Sequence, residues 1–232
     1  MKAAGSPFPR GWPFTPLRGL GIDRLRGGEG TYRLFDHDTL PSLPALPRGF
    51  GWLAGRPDAP EWSIRGEDDS ATRTLAALDR LRAVEPALPD GFVTFLGSPG
   101  LQAKLRSCTG CYLDLCPAPV EIPQGRLVRF LSDQQGCLFW YLFLAPEGDH
   151  AVVAAPDFYG TPDEEWGGEA PDPSNLLFCS ESFETFLVRF WLENEIYFAH
   201  HPDDESEPLP VPAEAEAYLR DYRALEAAHA DG

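Results

Sequence analysis

Three cysteines lie close together in the middle of the chain, and their spacing is the clearest candidate for metal or redox chemistry. Cys108 and Cys111 form a C-x-x-C pair, and Cys116 follows shortly after them. Two thiolates at this spacing can bind a zinc ion from a tight turn, but a structural zinc site needs four ligands. Cys137 and Cys179 fall in segments predicted as core strands and add no second pair. We expect these thiols to be buried as small apolar side chains, and the alternative is a metal- or thiol-dependent enzyme that uses the first three.

A second group of potential metal ligands lies where a predicted helix ends. Residues 200–204 read His-His-Pro-Asp-Asp, and Glu193 and Glu195 precede them. This spacing does not match the helical zinc motif H-E-x-x-H, and histidines near the end of a helix interact favourably with its dipole. His37 and Asp38 form a further pair, but the sequence assigns no nucleophile to it. We expect no metal site at either place.

The motifs of nucleotide-binding proteins and hydrolases are missing. Residues 19–21 read Gly-Leu-Gly without a third glycine in register, and the phosphate-binding motif G-x-x-x-x-G-K-[ST] does not occur. Residues 97–100 read Gly-Ser-Pro-Gly, which differs from the G-x-S-x-G nucleophile elbow. Paired carboxylates are common, but chance pairing is expected in a chain with 36 acidic residues. The sequence therefore predicts a protein that is not an enzyme, with no catalytic residues, no cofactor and no metal.

The chain is strongly acidic, and the acidity is concentrated in its later part. It has 232 residues, with 19 Lys+Arg against 36 Asp+Glu and a formal net charge of −17. Residues 1–106 carry 14 Lys+Arg and 12 Asp+Glu, whereas residues 107–232 carry 5 and 24. A negative surface repels phosphate backbones and anionic lipid headgroups and attracts basic proteins. Hydrophobic residues make up 43% of the chain, which is ample for a packed core and excludes global disorder.

The protein is expected to be cytoplasmic. Residues 1–7 contain no apolar core of a signal peptide, and Leu138–Leu144, the longest aromatic and aliphatic run, is too short to span a bilayer. An odd number of cysteines in a chain large enough to fold without disulfides is typical of reduced thiols. We therefore expect neither a membrane nor a nucleic acid as a direct partner. No pattern in the sequence fixes the oligomeric state.

Residues 157–172, called here the acidic connector, combine carboxylates with aromatic side chains and have no helical or strand period. Structureless loops longer than about 12 to 15 residues are usually functional or disordered. Carboxylates speed the encounter with a basic protein, and desolvated aromatic side chains supply contact area. The alternative is a solubilising flap whose tryptophan packs on its own core. The predicted partner-binding residues are Asp157, Tyr159, Asp163, Glu164, Glu165, Trp166, Glu169 and Asp172.

Apolar residues at helical spacing, together with capping residues, predict four helices. We expect them to span Ser70 to about Pro86, a short stretch between Pro89 and Gly97, Glu181 to about Ala199 after an N-cap at Ser180, and Ala213–Ala228. The third has the widest apolar face, formed by Phe183, Phe186, Leu187, Phe190, Trp191 and Ile196. A helix with such a face must bury it, so we expect it to lie on the sheet.

Short runs of apolar and β-branched residues predict the sheet. We expect strands at Tyr112–Leu115, Leu127–Leu131, Cys137–Leu144, His150–Ala154 and Leu176–Cys179. Residues 133–136 and 146–149 have turn chemistry, and they join three of these strands into an antiparallel meander over residues 127–155. The predicted fold class is α+β, with a mixed, mainly antiparallel sheet flanked by helices.

Composition divides the chain into three parts. Residues 1–69 are rich in proline and glycine but contain scattered aromatic side chains, so we expect an irregular extension that packs on the core. Residues 70–200 are expected to form the α+β domain. Residues 201–232 are expected to form an acidic linker and the last helix.

The order of three short motifs resembles the SUKH superfamily, which includes the Smi and Knr proteins. Residues 88–96 read LPDGFVTFL, residues 130–142 read FLSDQQGCLFWYL, and residues 182–187 read SFETFL. In the family, a leading helix with an L-P-x-x-[FY]-x-x-F-L element precedes a mixed sheet with an acidic-glycine turn, and the closing helix begins near S-F-x-x-F-L. The resemblance covers residues 70–200, and each motif is short and degenerate. Residues 97–100 depart from the family, whose members often have an Asn-Gly turn there.

The resemblance implies an α+β domain without known catalytic activity. Bacterial members often serve as immunity proteins that bind and neutralise a nuclease or deaminase toxin, and fungal members act as regulatory scaffolds. We therefore expect this chain to bind a basic toxin domain, with an intracellular scaffold or regulatory role as the alternative. The acidity of the chain agrees with such a partner, because a nuclease must be basic enough to hold phosphates.

Overall fold

The protein combines helices with one main antiparallel sheet. The computed structural model describes residues 7–14, 20, 22, 32–47, 49–59, 61–66, 68–164, 171–201 and 210–230. The helices are α1 (Gly51–Ala54), α2 (Asp68–Val84), α3 (Asp90–Leu96), α4 (Pro99–Gln102), α5 (Phe183–His200) and α6 (Ala213–Ala230). The strands are β1 (Trp12–Phe14), β2 (Arg33–Phe35), β3 (Tyr112–Leu113), β4 (Val120–Ile122), β5 (Gly125–Ser132), β6 (Phe139–Leu144), β7 (His150–Ala155) and β8 (Leu177–Ser180). This combination confirms the predicted α+β class.

Within the described residues, the main sheet has six strands in the order β3-β5-β6-β7-β8, and β4 pairs with the same strand as β3. All of these pairs are antiparallel. The strands β5, β6 and β7 form the predicted meander, and every residue of β6 is buried. Consecutive antiparallel strands need only short turns, so the turn residues on either side of β6 are sufficient to set this order.

The edge of the sheet beside β5 differs from the prediction. The predicted strand Tyr112–Leu115 is reduced to the two residues of β3, although the N–H groups of Asp114 and Cys116 still donate to β5 carbonyls at 3.0 and 2.9 Å. The strand β4 was not predicted, because its three residues lie between two prolines and only Ile122 is buried. Both strands are short and lie at an edge, where the alternation of buried and exposed side chains is weakest.

The helix α5 lies on one face of the sheet and begins later than predicted. Its N-cap is Ser182, whose Oγ accepts the N–H of Thr185 at 3.1 Å. Ser180, the predicted cap, is instead the last residue of β8 and pairs with Val152. Two serines flank Glu181, and participation of the first in the sheet leaves the second to cap the helix.

The helix α2 begins earlier than predicted, so Ser70 is not its N-cap. The helix starts at Asp68, and Ser70 is a buried residue within its first turn. An acidic residue in the first turn interacts favourably with the helix dipole. The prediction of a start at Ser70 left out this effect of Asp69. By contrast, α3 ends at Leu96 before Gly97, as predicted.

Part of the extension predicted for residues 1–69 belongs to the main sheet. The N–H of Gly11 donates to the carbonyl of Phe178 at 3.0 Å, and the N–H of Phe178 donates to the carbonyl of Pro9 at 2.7 Å. These bonds place Arg10 in a parallel bridge along the edge of β8. Next to this bridge, β1 pairs with β2 in a separate two-stranded sheet. The edge of β8 is therefore covered by the chain's own N-terminal residues, which limits pairing with other molecules.

The main sheet separates two clusters of buried apolar side chains. The larger cluster includes Trp12, Leu81, Trp191 and Tyr222, so all three predicted parts of the chain contribute to one core. The smaller cluster covers the opposite face with twelve buried residues, namely Phe8, Ile122, Leu127, Phe139, Tyr141, Phe143, Ala151, Val153, Ala155, Tyr159, Leu176 and Phe178. Described helices therefore pack on one face, and Phe8 together with Phe158 and Tyr159 of the acidic connector covers part of the other.

A buried polar cluster joins the N-terminal residues to α5 and α6. Glu193 is 8% exposed, and its carboxylate accepts the indole N–H of Trp12 at 2.6 Å and the hydroxyl of Tyr222 at 2.9 Å. Arg189, one turn earlier on α5, donates to the hydroxyl of Tyr218 and to the carbonyl of Pro41. Because each buried polar group has a partner, the cluster ties four separate segments together without an unpaired charge.

Candidate functional site

The first half of the acidic connector packs on the second face of the main sheet. The Phe158 ring meets the Phe139 ring edge to face with centroids 5.3 Å apart, and the Tyr159 ring lies 5.8 Å from the Tyr141 ring. The hydroxyl of Tyr141 donates to the carbonyl of Asp157 at 2.8 Å and accepts the N–H of Tyr159 at 2.9 Å. These contacts give residues 157–159 a defined position over β6.

Tyr159 is placed differently from the prediction that it supplies contact area to a partner. It is 3% exposed and belongs to the smaller apolar cluster. Its hydroxyl donates to Oδ2 of Asp157 at 3.1 Å and accepts the N–H of Asp172 at 3.3 Å. Burial, followed by the charge of Asp157, raises the pKa of this hydroxyl to about 12. The side chain is therefore an internal anchor that brings the two ends of the connector together.

Glu164 also has an internal role instead of the predicted contact with a partner. Its Oε1 accepts a hydrogen bond from the guanidinium of Arg129, and its Oε2 accepts the N–H of Thr161 at 2.6 Å. Burial alone would raise the pKa of this carboxyl group, but the bonds from Arg129 and Thr161 outweigh it and hold the pKa below its usual value. Glu164 is thus a charged group used to fix the connector, and a partner would have to compete with Arg129 for it.

Three of the predicted residues remain exposed, and we call Asp157, Asp163 and Asp172 the acidic face. Oδ2 of Asp157 also accepts the side-chain N–H of Asn175 at 2.8 Å. Oδ1 of Asp172 accepts the N–H of Ser174 at 2.9 Å, a bond that lowers the pKa of this carboxyl group. Hydrogen bonds therefore hold the side chains of Asp157 and Asp172 in place, and the carboxylate lone pairs that these bonds do not use face solvent.

The acidic face has no counter-charge among the described residues. No described cation lies within ion-pair distance of its three carboxylates. Two guanidinium groups stack on aromatic rings near this part of the sheet, Arg10 on Phe178 and Arg129 on Phe158. Both already form ion pairs with carboxylates outside the acidic face. Arg10 contacts Asp38 and Glu181, and Arg129 contacts Asp114 as well as its partner on the connector.

The remaining predicted contact residues, Glu165, Trp166 and Glu169, lie outside the described residues. The described part of the connector thus places five of the eight predicted residues: three are exposed, Tyr159 is buried, and Glu164 is half-buried and paired with Arg129. Sequence interpretation missed Arg129 and Tyr141, which hold the connector from below. The available signal was an arginine in the middle of the apolar strand Leu127–Leu131, where a buried charge requires an acidic partner.

The three candidate cysteines, all within the described residues, are not grouped so that they could hold a metal ion together. Cys111 lies 3.3 Å from the hydroxyl of Tyr32, whereas Cys116 donates to the carbonyl of Ala118 at 3.0 Å and lies 3.4 Å from Oε2 of Glu164. Burial raises the pKa of the Cys111 thiol, and it raises the pKa of the Cys116 thiol to about 11. Both thiols are therefore protonated at neutral pH, which disfavours nucleophilic attack and metal binding by the thiolate.

Asp203 and Asp204 of the second candidate group lie outside the described residues, and the described members of the group have other partners. His201 stacks on Tyr197 with ring centroids 4.6 Å apart, Glu193 belongs to the buried cluster, and Glu195 pairs with Arg106 at 2.8 Å. Throughout the part of the chain that the structure describes, no three His, Cys, Asp or Glu side chains are grouped so that they could hold a metal ion.

Comparison with protein-family models, curated proteins and solved structures finds no match for this chain. The resemblance to the SUKH superfamily therefore stays a prediction from the order of its motifs. None of the helices in the described residues combines the length and the apolar composition needed to cross a bilayer.

Proposed function

We propose that this chain is a non-enzymatic binding module that docks onto a basic protein through the acidic face. The observation that carries the proposal is the exposure of three carboxylates in the described residues of a segment whose residues 157–159 are fixed to the sheet, with no described counter-charge beside them. Uncompensated carboxylates attract cationic surfaces over a distance of about 10 Å at 0.1 M salt. They would steer a basic partner toward the face before contact is made.

The fixed position of residues 157–164 of the connector supports binding as well as attraction. A loop that is already ordered loses less conformational freedom on binding than a free acidic tail does. Phe158 and Tyr159 hold the connector on the sheet, so Asp157 and Asp172 are presented from one place. The geometry favours a partner that offers several cationic side chains at fixed positions, which is typical of a folded basic domain.

The motifs that resemble the SUKH superfamily favour a toxin as this basic domain. We propose that the chain is an immunity protein that binds and neutralises a nuclease or deaminase toxin. A nuclease toxin needs a cationic surface to hold phosphates, and an acidic protein bound there would exclude the substrate.

The test measures binding of the purified chain to a basic nuclease or deaminase domain encoded beside its gene. The association rate constant should fall at least about tenfold between low ionic strength and about 1 M salt, where the screening length is about 3 Å. The variant Asp157→Asn, Asp163→Asn, Asp172→Asn should associate more slowly and with a smaller salt dependence. Asparagine keeps an acceptor oxygen for the bonds to Asn175 and Ser174, so the loop should keep its shape.

A matched control removes the same charge from another surface. Asp79, Glu216 and Asp221 are exposed on α2 and α6, and the variant Asp79→Asn, Glu216→Gln, Asp221→Asn should bind nearly as the unaltered chain does. Equal effects of the two triple variants would contradict the placement of the interface. Binding that is indifferent to salt, or no binding to the toxin domain, would contradict the proposed function.

A further inference from the structure

We infer that Arg129 is a positioning residue for the acidic face: from beneath the connector it fixes the loop that a partner recognises, without touching the partner. The inference rests on the proposed function. Arg129 lies on β5 and is 2% exposed, so its charge is hidden from any molecule that docks on the surface.

The guanidinium of Arg129 links the sheet to the connector through several hydrogen bonds. Its Nε donates to Oδ2 of Asp114 at 2.8 Å and its Nη2 donates to Oδ1 of the same carboxylate at 3.3 Å. Its Nη2 also donates to Oε1 of Glu164, and its Nη1 donates to the carbonyl of Tyr159 at 3.3 Å. One group therefore holds a residue beside β3 and two residues of the connector at once.

Stacking adds a third restraint on the connector. The guanidinium carbon of Arg129 lies 4.0 Å from the centre of the Phe158 ring, and this ring packs in turn against Phe139. A planar guanidinium with five donors can stack and form these bonds simultaneously, whereas a lysine ammonium is a single point with three donors. The arrangement thus depends on arginine in particular and not only on positive charge.

The loop closes tightly around the carboxylate that Arg129 holds. Oε2 of Glu164 accepts the N–H of Thr161 at 2.6 Å and its hydroxyl at 3.2 Å. A Cβ at Gly160 would lie 2.5 Å from the same oxygen, so a larger residue at this position would have to displace the carboxylate that Arg129 holds. Asp163 precedes Glu164 directly, so the bond between Glu164 and Arg129 restrains the backbone next to this exposed carboxylate.

Loss of the bond between Arg129 and Glu164 should change the dissociation rate of the complex more than its association rate. The exposed carboxylates that steer association remain in Arg129→Lys, so the association rate constant and its salt dependence should stay within about twofold. The loosened loop must be ordered on binding, so dissociation should be about tenfold faster. Neutralising the acidic face has the opposite signature, because it slows association.

The experiment compares Arg129→Lys with Arg189→Lys in the full chain. Arg189 is a second buried arginine with hydrogen bonds to Tyr218 and Pro41, away from the connector, so its replacement controls for general destabilisation. Hydrogen exchange of the amides of residues 158–164 should increase in Arg129→Lys and stay unchanged in Arg189→Lys. Binding kinetics to the basic toxin domain encoded beside the gene should show faster dissociation for Arg129→Lys alone.

Each outcome decides a separate question. Unchanged exchange in residues 158–164 of Arg129→Lys overturns the positioning role, whatever the binding result. Increased exchange with unchanged dissociation also overturns it, since the shape of the loop would then not matter to the partner. If the unaltered chain does not bind the toxin domain, the proposed function fails, and the exchange comparison still decides whether Arg129 orders the loop. If Arg129→Lys does not fold, Glu164→Gln replaces it, because it breaks the ion pair and leaves Arg129 bound to Asp114.

Discussion

Glu193 should make the stability of this protein depend on pH, because the fold buries its carboxyl group. The side chain is 8% exposed and accepts bonds from Trp12 and Tyr222, with Arg189 nearby. Burial raises its pKa from 4.5 to about 7, against the lowering effects of Arg189 and of these hydrogen bonds. The folded protein therefore binds this proton more tightly than the unfolded chain does. Glu193→Gln removes the titration and keeps one acceptor oxygen in the cluster.

The direction and size of the effect follow from the shift. A pKa that is raised in the folded state contributes stability below the unfolded value of 4.5, and this contribution is lost as the pH rises through about 7. One unit of pKa corresponds to about 1.4 kcal/mol, so the full contribution is roughly 3 kcal/mol. Between about pH 5 and about pH 8 the loss should be roughly 2 to 3 kcal/mol, a large share of a typical stability of about 5 to 15 kcal/mol.

Urea unfolding followed by tryptophan fluorescence can measure this effect. The free energy of unfolding is compared between the unaltered chain and Glu193→Gln from about pH 5 to about pH 8. The difference isolates Glu193, because all other titrating groups are shared. Tyr222→Phe removes a donor to the carboxylate and should lose more stability at the higher pH. Parallel curves for the unaltered chain and Glu193→Gln over this range would refute the reasoning.

Two further predictions concern the core and the thiols. Phe183 is fully buried against three other phenylalanine rings, so Phe183→Ala should lower the free energy of unfolding by about 3 to 5 kcal/mol in urea titrations; a loss below about 1 kcal/mol would contradict this packing. Cys116 is buried with a pKa of about 11, so iodoacetamide at neutral pH should modify it only after unfolding, whereas the partly exposed Cys108 should react in the native protein. Peptide mass spectrometry reads the outcome, and native modification of Cys116 would disprove its burial.

Local sequence patterns predicted the meander and the helix α3 well. The strand β6 is a continuous apolar run that ends at Leu144 as predicted, although it begins at Phe139, two residues after the predicted start at Cys137. Gly97 follows directly on Leu96 at the end of α3, so the end of this helix is also set locally. The pairing of Gly11 with Phe178 could not be predicted in this way. It joins residues far apart in the chain, and neither segment contains a pattern that names its partner.

The same difference between local patterns and long-range contacts decides which features of the candidate site could be predicted. The exposure of Asp157 and Asp172 follows from composition, because an unpaired carboxylate is costly to bury. The internal role of Glu164 depends on Arg129 and that of Tyr159 on Tyr141, and both partners are buried on strands of the main sheet. An aromatic ring or a carboxylate in a loop has the same sequence signature whether it faces a partner or its own sheet. The positions of Arg129 and Tyr141 distinguish the two cases here.

Most of the few cations in the acidic later part of the chain are used inside the fold. Residues 107–232 carry only 5 Lys+Arg. Of these, Arg129 and Arg189 are buried, and Arg126 pairs with the buried carboxylate of Glu85. Arginines that hold internal carboxylates cannot screen the carboxylates at the surface. The basic partner proposed above would therefore meet few cations from residues 107–232 that compete with its own at the acidic face.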